Sequence, residues 1–184
     1  MNVVRLVKKA KKGNKEALLE LIMAEKEAYY KLALTYLGNQ HDALDALEEM
    51  IVVLYEKIIQ LKKDEAFYSW SKTILVNTCR SMLRKQKKVV SIDGWETAAK
   101  NQEPRDDRSY DAYRSSEQLL DIQESLKQLN PHQREAIQLK YFHDLDYETI
   151  ATVTNVSIGT AKSRVFQGLK KLREYYGGEM DETS

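Results

Sequence analysis

The sequence predicts an all-α protein: two small helical domains joined by a linker, the C-terminal one containing a helix-turn-helix. Three observations predict it. Only seven Gly and two Pro occur in 184 residues, about 5% against roughly 12% in average proteins, too few for turn-dense sandwiches or barrels. Apolar residues recur at steps of three and four through most of the chain. One long polar stretch, 89–115, interrupts that pattern and contains Gly94 and Pro104, as an interdomain linker would. The expected division is therefore a domain over 1–88, a linker over 89–115, a domain over 116–176 and a disordered tail over 177–184.

In the first domain, Gly13-Asn14 breaks a basic opening segment, and Asn14 is placed to cap the next helix. Leu18, Leu21, Ile22, Tyr29, Leu32, Ala33, Tyr36 and Leu37 follow at helical spacing until Gly38-Asn39, which tolerate positive φ and end a helix. Leu44, Leu47, Ile51, Leu54 and Ile58 form one apolar stripe, which predicts a long helix with Asp45, Glu48, Glu49, Val52 and Glu56 off the buried side. Gln60 to Glu65 reads as a loop. Phe67, Trp70, Ile74, Leu75, Cys79, Met82 and Leu83 mark a further helix that runs into the basic Arg84–Lys88.

In the second domain, Leu119, Leu120, Ile122, Leu126 and Leu129 restore the helical period. Asn130-Pro131 with Gln133 is a helix start, Asn as N-cap and Pro at the first helical position. That helix runs to about His143. A short helix from Asp146 to Val153, a turn through Thr154–Ser157 and a long helix over 158–176 then have helix-turn-helix form. Ile150 and small Ala151 serve the crossing of the two helices, Asn155 can take the left-handed turn conformation, and Val156 plugs the space between them. Ser157 caps the second helix, and Ala161, Val165, Leu169 and Leu172 make its buried stripe. Lys162, Ser163, Phe166, Gln167 and Lys170 fall outside that stripe. A helix of this width fits the DNA major groove, where such side chains reach base edges. Arg164, Lys171 and Arg173 suit phosphates. The stripe alone is equally that of a small bundle with a basic surface. The small residue, the turn residue and the acid-free second helix together favour DNA binding.

A formal net charge of +1 hides a sorting of signs. Residues 1–15 carry Arg5, Lys8, Lys9, Lys11, Lys12 and Lys15 with no acid. From Leu32 to Glu56 there is no Lys or Arg but Asp42, Asp45, Glu48, Glu49 and Glu56. Acids vanish again over Ala66–Ile92 and Thr149–Arg173, which hold six and five bases. Separate basic tracts suggest more than one contact with polyanion, and the acidic tract between two of them a different partner.

Much chemistry is not expected. One Cys precludes an internal disulfide framework and suggests a reducing, cytoplasmic setting. No apolar run nears the ~20 residues that span a bilayer, and the first residues lack the apolar core of a secretion signal. His41, His132, His143 and Cys79 have no metal-ligand spacing. Neither a phosphate-binding Gly-rich loop nor a nucleophile elbow appears. No cofactor, metal, catalytic residue or small-molecule substrate is expected.

The segments Leu129–Ile137, Asp146–Ala151, Val156–Arg164 and Lys170–Glu174 resemble, nearly residue for residue, the promoter −35-binding domain of bacterial RNA polymerase sigma factors of the extracytoplasmic-function (ECF) type. Independently, Leu37–Asp45 resembles the start of that family's polymerase-binding helix, and Phe67–Trp70 with Val76–Thr78 its −10-binding segment. The resemblance covers about residues 3–175 in the family's domain order. It implies a protein that binds core RNA polymerase, at the clamp of the largest subunit and at the flap, and directs it to promoter DNA, commonly restrained by an anti-sigma factor, often a membrane-tethered one.

On that resemblance, Asp45, Glu48, Glu49 and Val52 would meet the clamp. Asn77, Arg80, Arg84 and Lys88, spaced to share one face, would read or hold the −10 element together with Tyr68. Thr160, Lys162, Ser163, Arg164, Phe166, Gln167 and Lys170 would contact the −35 element. The loop Gln60–Glu65 would hold an unstacked base, with Phe67, Tyr68 and Trp70 as a stacking face; Phe67 and Trp70 are better suited to core packing, and Tyr68 suits either role. Asp93, Glu96, Glu103, Asp106, Asp107 and Asp111 would either mimic nucleic-acid charge or merely solubilise the linker. The sequence departs from the family pattern at Leu44, Glu48, Ser71-Lys72, Phe166 and Gln167. Two other functions fit parts of the pattern: a helix-turn-helix regulator acting without replacing a sigma subunit, and a sigma-like interaction module that does not bind DNA.

Overall fold

The computed structural model describes residues 1–92 and 117–181, and among these every regular element is helical. The chain divides into two compact units, Met1–Asp106 and Asp107–Ser184. The linker acids from Asp93 to Asp111 lie outside the described residues, so their expected role has no structural counterpart here.

The first unit holds five α-helices: α1 (Val3–Lys11), α2 (Lys15–Ala24), α3 (Lys26–Leu37), α4 (Gln40–Lys57) and α5 (Phe67–Ile92), with 3-10 turns at Ile58–Gln60 and Asp64–Ala66. Local chemistry sets the boundaries. Asn2, Asn14 and Asn39 each accept a backbone N–H three residues on, from Arg5, Ala17 and Asp42, and so cap α1, α2 and α4. Gly38 ends α3 at φ 75°, the left-handed position that suits a residue without Cβ. Tyr29, Leu32, Met50, Leu54, Phe67, Leu75, Val76 and Cys79 are wholly buried among these helices.

Four expectations need correction. The apolar run from Leu18 to Leu37 is two helices, broken at Glu25 (φ −118°, ψ 18°), whose N–H turns back to the Ile22 carbonyl. No Gly or Pro announces this break. On α4 the buried stripe is Ala43, Ala46, Met50 and Leu54, while Leu44 and Ile51 are exposed. Two small alanines let the helix approach its neighbours, which turns the core face away from the larger leucines. α5 continues past Lys88 to Ile92, because Val89–Ile92 contains nothing that stops a helix. The Gln60–Glu65 loop is irregular only over residues 61–63, between 3-10 turns that take in Gln60 on one side and Asp64 and Glu65 on the other, with Leu61 buried.

The second unit holds α6 (Glu117–Lys127), α7 (Pro131–Ile137) followed by a π-helical turn (Gln138–Phe142), α8 (Tyr147–Thr154) and α9 (Ile158–Asp181). Asn130 and Gln133 form a reciprocal capping box at the start of α7. The Arg134 guanidinium donates to the Leu126 and Leu129 carbonyls at 2.9 and 3.2 Å, closing the end of α6. Leu126, Leu129 and Ile137 form a core against which Leu169 and Leu172 pack. Gly168 is buried where α9 crosses α7: a Cβ there would stand 2.5 Å from Ile137 Cδ1. α9 extends to Asp181, so Gly177-Gly178 does not begin a disordered tail. Each glycine costs about 1 kcal/mol of helix propensity, but neither removes a hydrogen bond as proline would.

Candidate nucleic-acid interface

The helix-turn-helix is built by its caps. Asp146 accepts the Thr149 N–H at 2.7 Å and starts α8. Hydrogen bonds from the Thr149 backbone and side chain hold the Asp146 carboxyl below the ordinary carboxylate range. Asn155, at φ 55° and ψ 49°, ends α8. The Val156 N–H then closes onto the Ala151 carbonyl at 3.0 Å, and Ser157 Oγ accepts the Thr160 N–H at 3.1 Å to start α9. Ile150, Ala151, Val153, Ala161 and Val165 fill the crossing. Val156 is only half-buried, so the plug expected of it is shared with the fully buried Val153, which the sequence reading missed.

This fixes which side of α9 faces outward. Ser163, Phe166, Gln167 and Lys170 occupy the centre of the exposed face, with Thr160 and Lys162 exposed at its margins. Phe166 is 70% exposed, a large aromatic offered to solvent in the middle of this surface. Arg164 is half-buried at the edge, suited to a backbone phosphate rather than a base. Lys162 and Lys140 approach the Tyr147 ring at 5.7 and 4.8 Å from its centroid. That ring holds Lys162 through a cation–π contact while leaving its ammonium exposed.

A second basic surface lies on α5. Asn77, Arg84 and Lys88 are exposed and Arg80 is half-buried. At 100° per residue the four fall within a quarter turn of one another, opposite the buried Leu75 and Cys79. The Arg80 guanidinium lies 5.7 Å from the Tyr36 ring centroid. Tyr68 is not part of this face. It stands about half a turn away around α5, half-buried, its hydroxyl donating to the Leu21 carbonyl at 3.3 Å and its ring edge-on to Phe67. Phe67 is wholly buried and Trp70 half-buried, so both serve packing first.

The opposite side of α5 is tied down by polar pairs that the sequence showed only as a departure from the family pattern. Tyr29 and Ser71 are buried with their hydroxyls 2.7 Å apart. Ser71 spends its own proton on the Tyr68 carbonyl at 3.0 Å, so Tyr29 is the donor. Burial drives the Tyr29 phenol well above its ordinary range. Lys72 pairs with Glu25 at 2.9 Å, at the break between α2 and α3. Farther along, Gln86 donates to Asp42 at 3.0 Å and joins α5 to the start of α4. Hydrogen bonds from Asn39 and Gln86 hold the Asp42 carboxyl low.

The outer face of α4 carries Asp45, Glu48, Glu49 and Val52, all exposed. Leu44, Ile51 and Tyr55 stand exposed among them. The surface is thus mixed, acidic and apolar, rather than simply charged. Leu44 and Ile51 were hidden from the sequence reading because they lie at the same three-and-four spacing as a core stripe. The alternative series through Ala43, Ala46, Met50 and Leu54 was the available signal. His41, Asp42 and Asp45 bring one ligand atom each within 4.8 Å, with His41 and Asp45 only 3.2 Å apart. Cys79 is sealed in the core, where burial pushes its thiol up to about 12, far from the thiolate a nucleophile requires. Among the described residues no helix is long and apolar enough to cross a membrane.

Comparison with known proteins finds a family match in each unit. Residues 21–89 match the family model for sigma-70 region 2, and residues 119–172 that for sigma-70 region 4. The chain is 33% identical over 165 residues to the RNA polymerase sigma factor SigV of Bacillus subtilis, covering 90% of this chain and 94% of SigV. It is 28% identical over 180 residues to the ECF sigma factor SigW of the same organism, covering 95% and 96%. Among solved structures, the sigma factor RpoE of Bartonella quintana, crystallised with the anti-sigma factor NepR, aligns with a TM-score of 0.62 at 26% identity, over 84% of this chain and 93% of that one. CnrH, in complex with the cytosolic domain of CnrY, has the same fold at a TM-score of 0.66 and 18% identity, over 96% and 97%. The chain belongs to the sigma-70 family, as a sigma factor of the ECF type.

Proposed function

We propose that the three described surfaces, on α4, α5 and α9, divide the work of an ECF sigma factor. The first unit, over about residues 1–92, docks on core polymerase through α4 and engages the −10 element through α5. The second, from Glu117 through α9, reads the −35 element. Lys162, Ser163, Phe166, Gln167 and Lys170, with Thr160, face base edges, and Arg164 holds a phosphate. Asn77 meets a base of the −10 element, while Arg80, Arg84 and Lys88 hold phosphates beside it. Tyr68 acts indirectly, by fixing the start of α5 against α2.

On α4, Asp45, Glu48 and Glu49 steer encounter with a basic partner surface. Val52, Leu44, Ile51 and Tyr55 add apolar area that slows release. The observation carrying this reading is that the folded backbone leaves such faces exposed on both matched sigma regions, those of α4 and α5 on the first and that of α9 on the second. A regulator confined to the helix-turn-helix has no use for the α4 face. The chain supplies no chemistry of its own: nucleotide addition belongs to the polymerase. It works in the cytoplasm, where polymerase and DNA are. An anti-sigma factor restrains it, as NepR accompanies RpoE in the solved complex, and any attachment to the membrane comes through that inhibitor.

The test is run-off transcription of genomic templates by core polymerase with the purified chain, followed by mapping of RNA 5′ ends. Initiation at a defined set of sites sharing −10 and −35 sequences is expected. Absence of initiation that depends on this chain refutes the reading.

A further inference from the structure

The surfaces assigned so far leave one strongly charged face unused, the outer side of α1. This helix buries Leu6, Val7 and Ala10 and exposes Arg5, Lys8 and Lys9, with Lys12 exposed at its C-cap. At 100° per residue those four bases share a single arc opposite the buried stripe. No acid occurs in residues 1–15. Among the described residues none of the four bases has an acid at ion-pair distance, and an open depression follows them along the helix. Lys11, at the edge of the arc, is used differently. Its ammonium donates to the Leu61 carbonyl at 2.6 Å and pairs with Asp64 at 2.5 Å. α1 is thereby fastened to the turn that leads directly into Phe67 and α5. Between these two anchor points the turn contributes Lys62 and Lys63, both exposed.

We propose that Arg5, Lys8, Lys9 and Lys12 of α1, with Lys62 and Lys63, form a further DNA-backbone surface of the first unit, distinct from the α5 face. The inference rests on the promoter-binding reading above and adds a contact to it. Like charges gathered on one short helix repel one another; a row of phosphates neutralises them, and the counterions condensed on the DNA are released in exchange. Flexible ammonium groups on a convex helix suit phosphates rather than base edges, so the contact carries no sequence preference. An anionic membrane surface is the other polyanion to consider. A helix lying on lipid must bury its apolar side in the bilayer, and the apolar side of α1 is already spent in the protein core. The anchoring of α1 through Lys11 to the segment preceding α5 favours DNA.

The experiment uses holoenzyme reconstituted from core polymerase and the full chain, on a duplex from which wild-type holoenzyme initiates. Affinity is measured from about 50 to about 200 mM salt, the range over which phosphate contacts are most visible. For R5A/K8A/K9A/K12A the expected result is an affinity loss of about tenfold or more, with the slope of log K against log salt flatter by about 3. The loss should be equal on intact and −10-scrambled DNA, with affinity for core unchanged. K62A/K63A should flatten the slope by about 1 to 2. If the quadruple variant unfolds at a lower temperature, K8A/K9A replaces it, with a slope change of about 2. Unchanged promoter affinity and slope overturn the proposal. So does a loss confined to core binding, which would assign the face to protein, or one confined to phosphatidylglycerol vesicles. Failure of the wild-type holoenzyme to initiate would instead sink the promoter-binding reading.

Discussion

The Lys162 ammonium lies 5.7 Å from the centre of the Tyr147 ring, so the first helix of the helix-turn-helix positions a side chain on the second. Lys162→Ala should weaken −35 binding by about 1–3 kcal/mol if it reads a base, and should narrow the difference between matched and scrambled −35 sequences. Equal losses on both would reduce Lys162 to a phosphate contact. Tyr147→Leu should produce a smaller loss of the same kind, since the lysine remains but loses its support.

The α4 face yields a prediction about the partner rather than DNA. Asp45→Lys with Glu49→Lys should slow association with core polymerase, and increasingly so as salt is lowered, because long-range attraction becomes repulsion. Ile51→Ala with Tyr55→Ala should instead speed dissociation. Both pairs are exposed, so thermal unfolding of the chain should shift little. Competition against another sigma factor for core measures the first pair, and dissociation kinetics the second. Unchanged core affinity in both would remove α4 from the interface.

The Tyr29–Ser71 contact should respond asymmetrically to truncation. Ser71→Ala leaves the buried Tyr29 hydroxyl without its acceptor and should cost about 1–3 kcal/mol. Tyr29→Phe leaves Ser71 still bonded to the Tyr68 carbonyl and should cost less than that. Chemical denaturation of the two variants decides it. Equal costs would mean that packing, not the hydrogen bond, holds this junction.

Acid sensitivity has a local source in the second unit. The folded Asp146 carboxyl titrates below its unfolded value, so the stability it contributes is present above about pH 4 and is lost as pH falls through the folded value. Asp146→Asn keeps an N-cap of equal quality but does not titrate. The variant should therefore lose less stability than the parent between neutral pH and about pH 3, as followed by denaturant midpoints. Parallel curves would show that the cap carboxylate does not matter.

At the crossing of α7 and α9, Gly168→Leu should destabilise the second unit by about 1–3 kcal/mol through overpacking against Ile137. Adding Ile137→Ala should recover part of that. Full stability of the single variant would show that the helices separate freely.

What was legible in the sequence follows the range of the forces involved. Caps and turns act within four residues, and Asn14, Asn130, Asn155 and Ser157 all perform as their types suggest. The exposed face of α9 was readable because its buried stripe is strongly apolar. The first turns of the α4 stripe were misread by one residue, while Leu54 and Ile58 are buried as expected; small alanines bury as well as leucines do, and the distinction is set by neighbouring helices. The break at Glu25 and the pairs Lys72–Glu25, Tyr29–Ser71 and Lys11–Asp64 join residues 42 to 53 positions apart or depend on such contacts. Spacing along the chain does not encode them. Tyr68 was read as a surface on which an unstacked base could lie, weighed evenly against packing; the hydrogen bond from its hydroxyl to the Leu21 carbonyl is a long-range contact that spacing does not encode.

The central claim is that both units of one chain grip a single promoter while that chain rides on core polymerase. Hydroxyl-radical footprinting of a mapped promoter by reconstituted holoenzyme tests it most directly. The account predicts two protected tracts, at the −35 and −10 elements, with the −35 tract lost on substitution of Lys162 and Gln167 and the −10 tract on substitution of Asn77 and Arg84. Protection of only one element, or the same footprint from the free chain without core polymerase, would contradict it.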